Sequence, residues 1–470
     1  MQFIGREKEL KILNELLEKQ IARLVVIRGR RRIGKSRLAE QFGKNFPQVL
    51  SFIGLAPHKK ITAQMQRDDF TNQMSALLNI AKVDSSDWGM LFRTLSTFVE
   101  NKKVLLILDE ISWMGGKDPT FLGKLKTAWD SFFKKNENLT LVLSGSVSSW
   151  IEKNILSSTG FVGRISLDLN LEPLPLSDCN LFWGDQKDHV SCYDKLKVLS
   201  VTGGIPRYLE EIVPSWSAEK NISRLCFSKG GLLYREFDHI FSDLFSKKAM
   251  TYRKIVHLLV NGPKSQLEIS KLLKITKTGT LSEYLDDLVT AGFIERDFSW
   301  HIKTGKKSKF SRYRIKDNYT RFFLKVIEPN KAKIESQSFT FPSFWESTIA
   351  LQFENLVLTN RVKLWELLNI HSSEIVFENP YFQKQTSSAK GCQIDYMIQN
   401  RYGSLYICEI KFKKGEVGLD VVSQIKEKVS RLQIPKYHSI RPVLIHVNGV
   451  KDTVLESGYF AHIVDFSKFL

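Results

Sequence analysis

Gly29-Arg30-Arg31-Arg32-Ile33-Gly34-Lys35-Ser36 fits the spacing G-x-x-x-x-G-K-[ST], and the chemistry it offers is capture of a polyphosphate. Backbone N–H groups of a glycine turn and the positive end of a following helix cradle phosphate oxygens. Lys35 is expected to reach the β- and γ-phosphates and Ser36 to ligate Mg²⁺, with Gly29, Ile33, Gly34 and Arg37 completing the nucleotide contacts. A second constellation follows in Val104-Leu105-Leu106-Ile107-Leu108-Asp109-Glu110, an apolar run closing on two carboxylates. Asp109 is expected in the Mg²⁺ shell opposite Ser36, and Glu110 to orient or deprotonate an attacking water. Ser144-Gly145-Ser146 ends the next apolar run, where Ser146 could sense the γ-phosphate or hold the water; otherwise these serines only cap a helix. Together these residues imply ATP or GTP with Mg²⁺, and hydrolysis beyond binding.

A third group lies near the other end of the chain. Gln393-Ile394-Asp395-Tyr396-Met397-Ile398 reads as a strand, and after a turn at Tyr402-Gly403 comes Leu405-Tyr406-Ile407-Cys408-Glu409-Ile410-Lys411. Strand alternation puts Glu409 and Lys411 on one face, where Asp395 from a neighbouring strand could complete a divalent-metal site. Oxygen ligands suit Mg²⁺ or Mn²⁺, which activate water in phosphodiester cleavage while Lys411 positions the nucleophile or neutralises charge. The scattered histidines, among them His371, His438, His446 and His462, show no ligand spacing.

These groups need elements to hold them. Residues 3–176 alternate helices with short apolar strands at Leu24–Ile27, Val49–Ile53, Val104–Leu108 and Leu139–Leu143, the pattern of a parallel sheet covered on both faces. Residues 177–240 read as a helical lid. Residues 241–327 place two apolar helices before a longer one over Thr278–Thr290 and a basic hairpin, the order of a winged helix. A polar stretch from Glu328 to Pro342 reads as a linker, and 343–470 as a last α/β domain. In the expected recognition helix, Leu281, Leu285 and Leu288 face the core, whereas Glu283, Asp286 and Asp287 would repel phosphates. Lys303, Lys306, Lys307, Lys309, Arg312, Arg314 and Lys316, beside Phe310 and Tyr313, instead form a wing able to track a nucleic-acid backbone. An inter-domain adaptor is the other reading of this segment.

Composition agrees with several domains and a polyanionic partner: 470 residues, 31 phenylalanines and a formal net charge of +19. No apolar run approaches the length of a bilayer span, and the first residues lack the apolar core of a secretory signal. Five scattered cysteines without C-x-x-C spacing argue for a reducing compartment, so a cytoplasmic protein is expected.

Phe3-x-Gly5-Arg6-Glu7-x-Glu9-Leu10, the phosphate loop, Leu108-Asp109-Glu110, Ser144-Gly145-Ser146 and Thr202-Gly203-Gly204-Ile205-Pro206-Arg207-Tyr208-Leu209 together resemble the archaeal-type ATPases of the AAA+/STAND-like group, near origin-recognition-type initiators. The resemblance implies that Arg164 acts as a finger on a neighbour's γ-phosphate, hence a homo-oligomer, and that Arg207 is a second sensor in the lid. The C-terminal segment resembles the PD-(D/E)XK nucleases, with Asp395, Glu409 and Lys411 in matching positions, Glu354 matching the extra acid of many members, and Ile394 where a proline is usual. The fold expected is thus α/β: a P-loop sheet with helical lid, a winged helix, and a restriction-endonuclease-like domain acting on nucleic acid, DNA favoured, without a membrane partner. Two other readings stand beside it, a non-cutting replication-initiator-like loader and a STAND-type signalling scaffold with an inactive C-terminal fold.

Overall fold

Three apolar runs, Arg23–Gly29 (β1), Val104–Asp109 (β3) and Leu139–Gly145 (β4), are covered on both faces and so carry little alternation. Gln48–Ile53 (β2) and Leu167–Leu171 (β5) alternate buried and exposed residues, as strands at the two edges do. The five form one sheet in the order β2-β3-β4-β1-β5, parallel throughout. The fifth strand escapes the sequence reading because its Leu-Asp-Leu-Asn-Leu alternation is short and polar. A computed structural model describes residues 3–57, 60–245, 248–275, 278–341, 345–387 and 390–470. The expected domain boundary at Pro342 and Ser343 lies outside them.

The chain divides into two compact units, Met1–Leu174 and Pro175–Leu470. In the first, the helix Trp88–Val99 buries Trp88, Leu91, Phe92 and Leu95 in the core, and Trp88 meets Phe121 edge-on with ring centroids 4.8 Å apart. Parallel strands bring their carboxyl ends to one edge, so the phosphate loop after β1, the acids after β3 and the serines after β4 arrive together.

Early in the second unit come the helices Cys192–Thr202, Ala218–Cys226 and Leu232–Phe245. The segment expected as a lid, residues 177–240, falls within this unit. Its helix Cys192–Thr202 is buried from Lys195 to Thr202, the signature of a core helix, and Leu176 N–H donates to Asn360 Oδ1 at 3.0 Å. Helices Ala249–Leu258, Gln266–Leu273 and Thr278–Thr290 then lead into the antiparallel ribbon Ile294–His301 (β6) and Lys306–Ile315 (β7). Leu281, Leu285 and Leu288 are fully buried. The expected linker is structured in part: Lys331–Glu335 is helical with Ile334 buried, and Phe339 packs on Phe227 at 4.5 Å.

After the helix Trp345–Thr359 comes a second sheet, from Ile375–Gln383 (β8), Cys392–Asn400 (β9), Ser404–Lys411 (β10), Ser439–His446 (β11) and His462–Asp465 (β12), in the order β12-β11-β10-β9-β8. The ribbon docks on it, with Trp300 Nε1 donating to Gln399 Oε1 at 2.6 Å and Ser299 Oγ to Phe382 O at 2.7 Å.

Candidate functional site

The loop between β1 and the helix Lys35–Gly43 turns through left-handed backbone at Arg32 (φ 72°) and Gly34 (φ 95°). At Gly29 a Cβ would lie 2.7 Å from Leu171 O, so only glycine lets the loop leave the sheet there. Lys35 is buried, its Nζ 3.1 Å from Gly29 O and 3.2 Å from Arg30 O. Burial pulls its pKa down, against the Glu110 and Asp109 carboxylates. Ile33 is buried beneath the loop, and Ser36 and Arg37 open the helix on its exposed side. Of the three loop arginines, Arg30 is buried and Arg31 and Arg32 are half-buried.

Ser36 Oγ donates to Asp109 Oδ2 at 2.7 Å, and Glu110 N–H to Asp109 Oδ1 at 2.9 Å. The Ser36 hydroxyl and the Asp109 carboxylate therefore face one another with hard oxygens, the donor set Mg²⁺ prefers. Glu110 takes left-handed backbone at φ 50°, a strained conformation for a residue with a side chain. Its carboxylate accepts from Ser146 N–H at 3.1 Å and from Ser146 Oγ at 2.9 Å. Ser144 is buried within the sheet, so of the two serines it is Ser146 that meets the acid.

Arg6 is buried beside the phosphate loop. Its buried guanidinium donates to Ile33 O at 3.0 Å and Glu172 O at 2.7 Å and pairs with Glu9 at 2.8 Å, tying the phosphate loop to the segment after β5. No local periodicity marks that role, because its partners lie far along the chain.

The two arginines expected at a γ-phosphate each hold an ion pair in the structure. Arg164 grips Asp130 with two hydrogen bonds of 2.9 Å, and this pair holds the Asp130 carboxyl down at about 2. It lies near the amino ends of the strands, where Ser166 N–H meets Leu24 O. Leu24 to Gly29 is about 16 Å along a strand, so Arg164 does not reach the loop of its own sheet. Arg207, in the short helix Pro206–Leu209 of the second unit, pairs with Glu211 at 2.7 Å.

In the second sheet Asp395, Glu409 and Lys411 do converge. Ile410 N–H donates to Asp395 Oδ2 at 3.0 Å, and Lys411 Nζ sits 2.8 Å from Glu409 Oε1 and 2.9 Å from Gln424 Oε1. A residue missed in the sequence joins them: Lys428, from the helix Asp420–Arg431, places Nζ 2.6 Å from Glu409 Oε2 and 3.4 Å from Asp395 Oδ1. Gln424 and Lys428 sit one turn apart on one helix face, a spacing visible beforehand but without meaning until the helix is docked. The ammonium stands where a cation bridging the two acids would stand, and the oxygens around it are the hard donors that suit Mg²⁺ or Mn²⁺. Among the described residues no group of three or more His, Cys, Asp or Glu side chains is arranged to hold a metal ion, so Glu354 does not complete a three-acid cage. Burial, and next the Asp395 charge, push the Glu354 carboxyl up to about 8.

The basic wing is largely occupied within its own unit. Arg314 pairs with buried Asp297 at 2.8 Å and donates to Asn355 Oδ1 at 2.6 Å; Arg312 lies 3.5 Å from Glu268 and Lys316 3.2 Å from Glu295. Lys303, Lys306, Lys307 and Lys309 stay exposed, so only the tip offers charge to solvent. Among the described residues no helix is long and apolar enough to cross a membrane, and no disulfide links the five cysteines.

A parallel sheet with a phosphate loop after its first strand and acids at the carboxyl end of a neighbour is the fold of a P-loop ATPase. Residues 3–212 match the family of ATPase domains predominantly from Archaea. An uncharacterized protein of Methanocaldococcus jannaschii is 29% identical over 340 residues, spanning 72% of this chain and 71% of its own. A Walker-type ATPase of Pyrococcus abyssi, 18% identical, shares the fold with a TM-score of 0.52 over 69% of this chain and 96% of its own. The ORC2 protein of Aeropyrum pernix, in complexes with ADPNP and ADP, is similar at 14% identity and a TM-score of 0.43, over 72% of this chain and 95% of its own.

Proposed function

We propose that this chain is an ATP-hydrolysing switch whose nucleotide state governs a nuclease-type site acting on nucleic acid, DNA in the first instance. The observation that supports the first half is the pair of contacts Ser36–Asp109 and Glu110–Ser146 at one sheet edge. Lys35 and the loop amides bind the phosphates, Ser36 and Asp109 hold Mg²⁺, and Glu110 orients or deprotonates the water under the control of Ser146. Bound Mg²⁺ neutralises the charge that develops on the phosphates. Arg164 serves a neighbouring copy, since its own loop is out of reach, and Arg207 senses the nucleotide. Asp395, Glu409 and Lys411 support the second half: the carboxylates bind a divalent cation, and Lys411 neutralises charge on the phosphodiester.

The test is phosphate release and cutting of single- and double-stranded DNA and RNA with Mg²⁺ or Mn²⁺, with and without ATP, for wild type, Lys35→Ala, Glu110→Gln and Asp395→Ala. Lys35→Ala and Glu110→Gln should stop ATP turnover, and Asp395→Ala should stop cutting alone. Turnover by Lys35→Ala at the wild-type rate sinks the first half. Every nucleic acid equally intact with wild type and Asp395→Ala sinks the second and leaves a non-cutting loader or scaffold.

A further inference from the structure

Each acid of the C-terminal cluster has one oxygen already engaged by its own surroundings. Asp395 Oδ2 accepts from Ile410 N–H and Glu409 Oε1 faces Lys411. The remaining oxygens, Asp395 Oδ1 and Glu409 Oε2, both face one atom, Lys428 Nζ, at 3.4 and 2.6 Å. Lys411 and Lys428 thus neutralise the two carboxylates from within the chain. A Mg²⁺ or Mn²⁺ ion binding the same two oxygens at about 2.1 Å would lie in near contact with the ammonium, where charge repulsion between the two is severe. Both cations cannot be held together.

We propose that Lys428 decides whether this site holds metal: its ammonium is the resident cation of the Asp395–Glu409 pair, and a divalent ion enters only by displacing it. The inference rests on the nuclease-type reading above, since it takes these acids to be metal ligands. Lys428 is a positioning residue and not a catalytic one. It projects from the helix Asp420–Arg431, so the ammonium can leave by rotation about its own side chain while Gln424 keeps Lys411 in place through the 2.9 Å hydrogen bond. The side chain is half-buried and has a route to solvent.

The experiment is calorimetric titration of Mn²⁺ into the full-length chain without nucleotide, for wild type, Lys428→Met, Lys428→Gln, Asp395→Asn and the double variant Lys428→Met/Asp395→Asn. Thermal unfolding of each shows that it is folded, and the glutamine variant stands in if methionine is not tolerated. Any Mn²⁺ taken by Ser36 and Asp109 is common to all five. Removing one unit charge beside the ligands should tighten Mn²⁺ binding by roughly tenfold or more in both lysine variants, and the added Asp395→Asn should abolish that gain. Affinities in both lysine variants within about threefold of wild type, with binding still lost in Asp395→Asn, would overturn the proposal and leave the metal-site reading standing. No Asp395-dependent Mn²⁺ binding in any variant would overturn both.

Discussion

Ser146 donates twice to Glu110, through its backbone N–H at 3.1 Å and its hydroxyl at 2.9 Å, so the acid expected to handle the water is held by the end of the neighbouring strand. The strained backbone of Glu110 aims its side chain across β3 toward β4, and the parallel register of those strands brings Ser146 to meet it. On the function proposed above, a serine in this place acts on hydrolysis by steering the carboxylate.

Ser146→Ala should therefore lower ATP turnover by about tenfold or more while leaving KM within about threefold, because a general base loses alignment and not binding. Glu110→Gln should retain nucleotide affinity and lose nearly all turnover. Steady-state phosphate release and binding of a fluorescent ATP analogue check both. Equal losses of affinity and turnover in Ser146→Ala would place the serine on the nucleotide.

Arg6 should prove a support of the phosphate loop. Its charged hydrogen bonds to Ile33 O and Glu172 O are largely shielded from solvent, and such bonds contribute about 1.5–3 kcal/mol each. Arg6→Ala is expected to cost about 3 kcal/mol or more in denaturant unfolding and to weaken ATP binding in parallel. Unchanged ATP affinity in a measurably less stable variant would separate the two roles and remove the loop from the account.

The Arg314–Asp297 pair should be costly to break from one side. Asp297 is fully buried, and burial pushes its carboxyl up to about 6 even with Arg314 beside it. Arg314→Met leaves an uncompensated carboxylate and should cost about 3–5 kcal/mol near pH 8. Since the folded pKa lies above the unfolded one, the carboxyl is harmless while protonated, and its penalty grows as pH rises from about 4 through 6 and beyond. Urea midpoints at pH 5 and pH 8 should show the smaller loss at pH 5. A loss independent of pH would mean that Asp297 is not the charge left behind.

Arg164 gives the opposite sign. Its pairing lowers the folded-state pKa of Asp130 to about 2, so the stability it contributes is present above the ordinary carboxylate range and disappears as pH falls through about 2. Arg164→Ala should lower the melting temperature at pH 7 and by less at pH 3. If the same guanidinium serves a neighbouring copy, ATP turnover per chain rises with protein concentration in wild type and stays flat in Arg164→Ala. A concentration-independent rate in both would confine Arg164 to its ion pair.

How much of this was legible beforehand differs from element to element. β1, β3 and β4 announced themselves because strands buried on both faces must be apolar throughout, whereas β5 was too short and polar to stand out. Leu281, Leu285 and Leu288 kept their helical spacing into a buried face. Helical periodicity reports that a face is buried and not against what, so the sequence did not show that residues 177–240 cluster with the rest of the second unit, and the aromatic anchors Phe227 and Phe339 turned part of a polar linker into packed structure.

By itself, the sequence determined what depends on neighbours along the chain: the glycine turn before Lys35 and Ser36, the acids closing β3, and the alternation that puts Glu409 and Lys411 on one face. The tertiary structure alone decided what depends on groups distant in sequence. It set Ser146 on Glu110, Arg6 on Ile33, Arg164 on Asp130, and Lys428 between Asp395 and Glu409. Backbone preference and periodicity act over a few residues, while charges and hydrogen-bonding groups pair with whatever packing brings within about 3 Å.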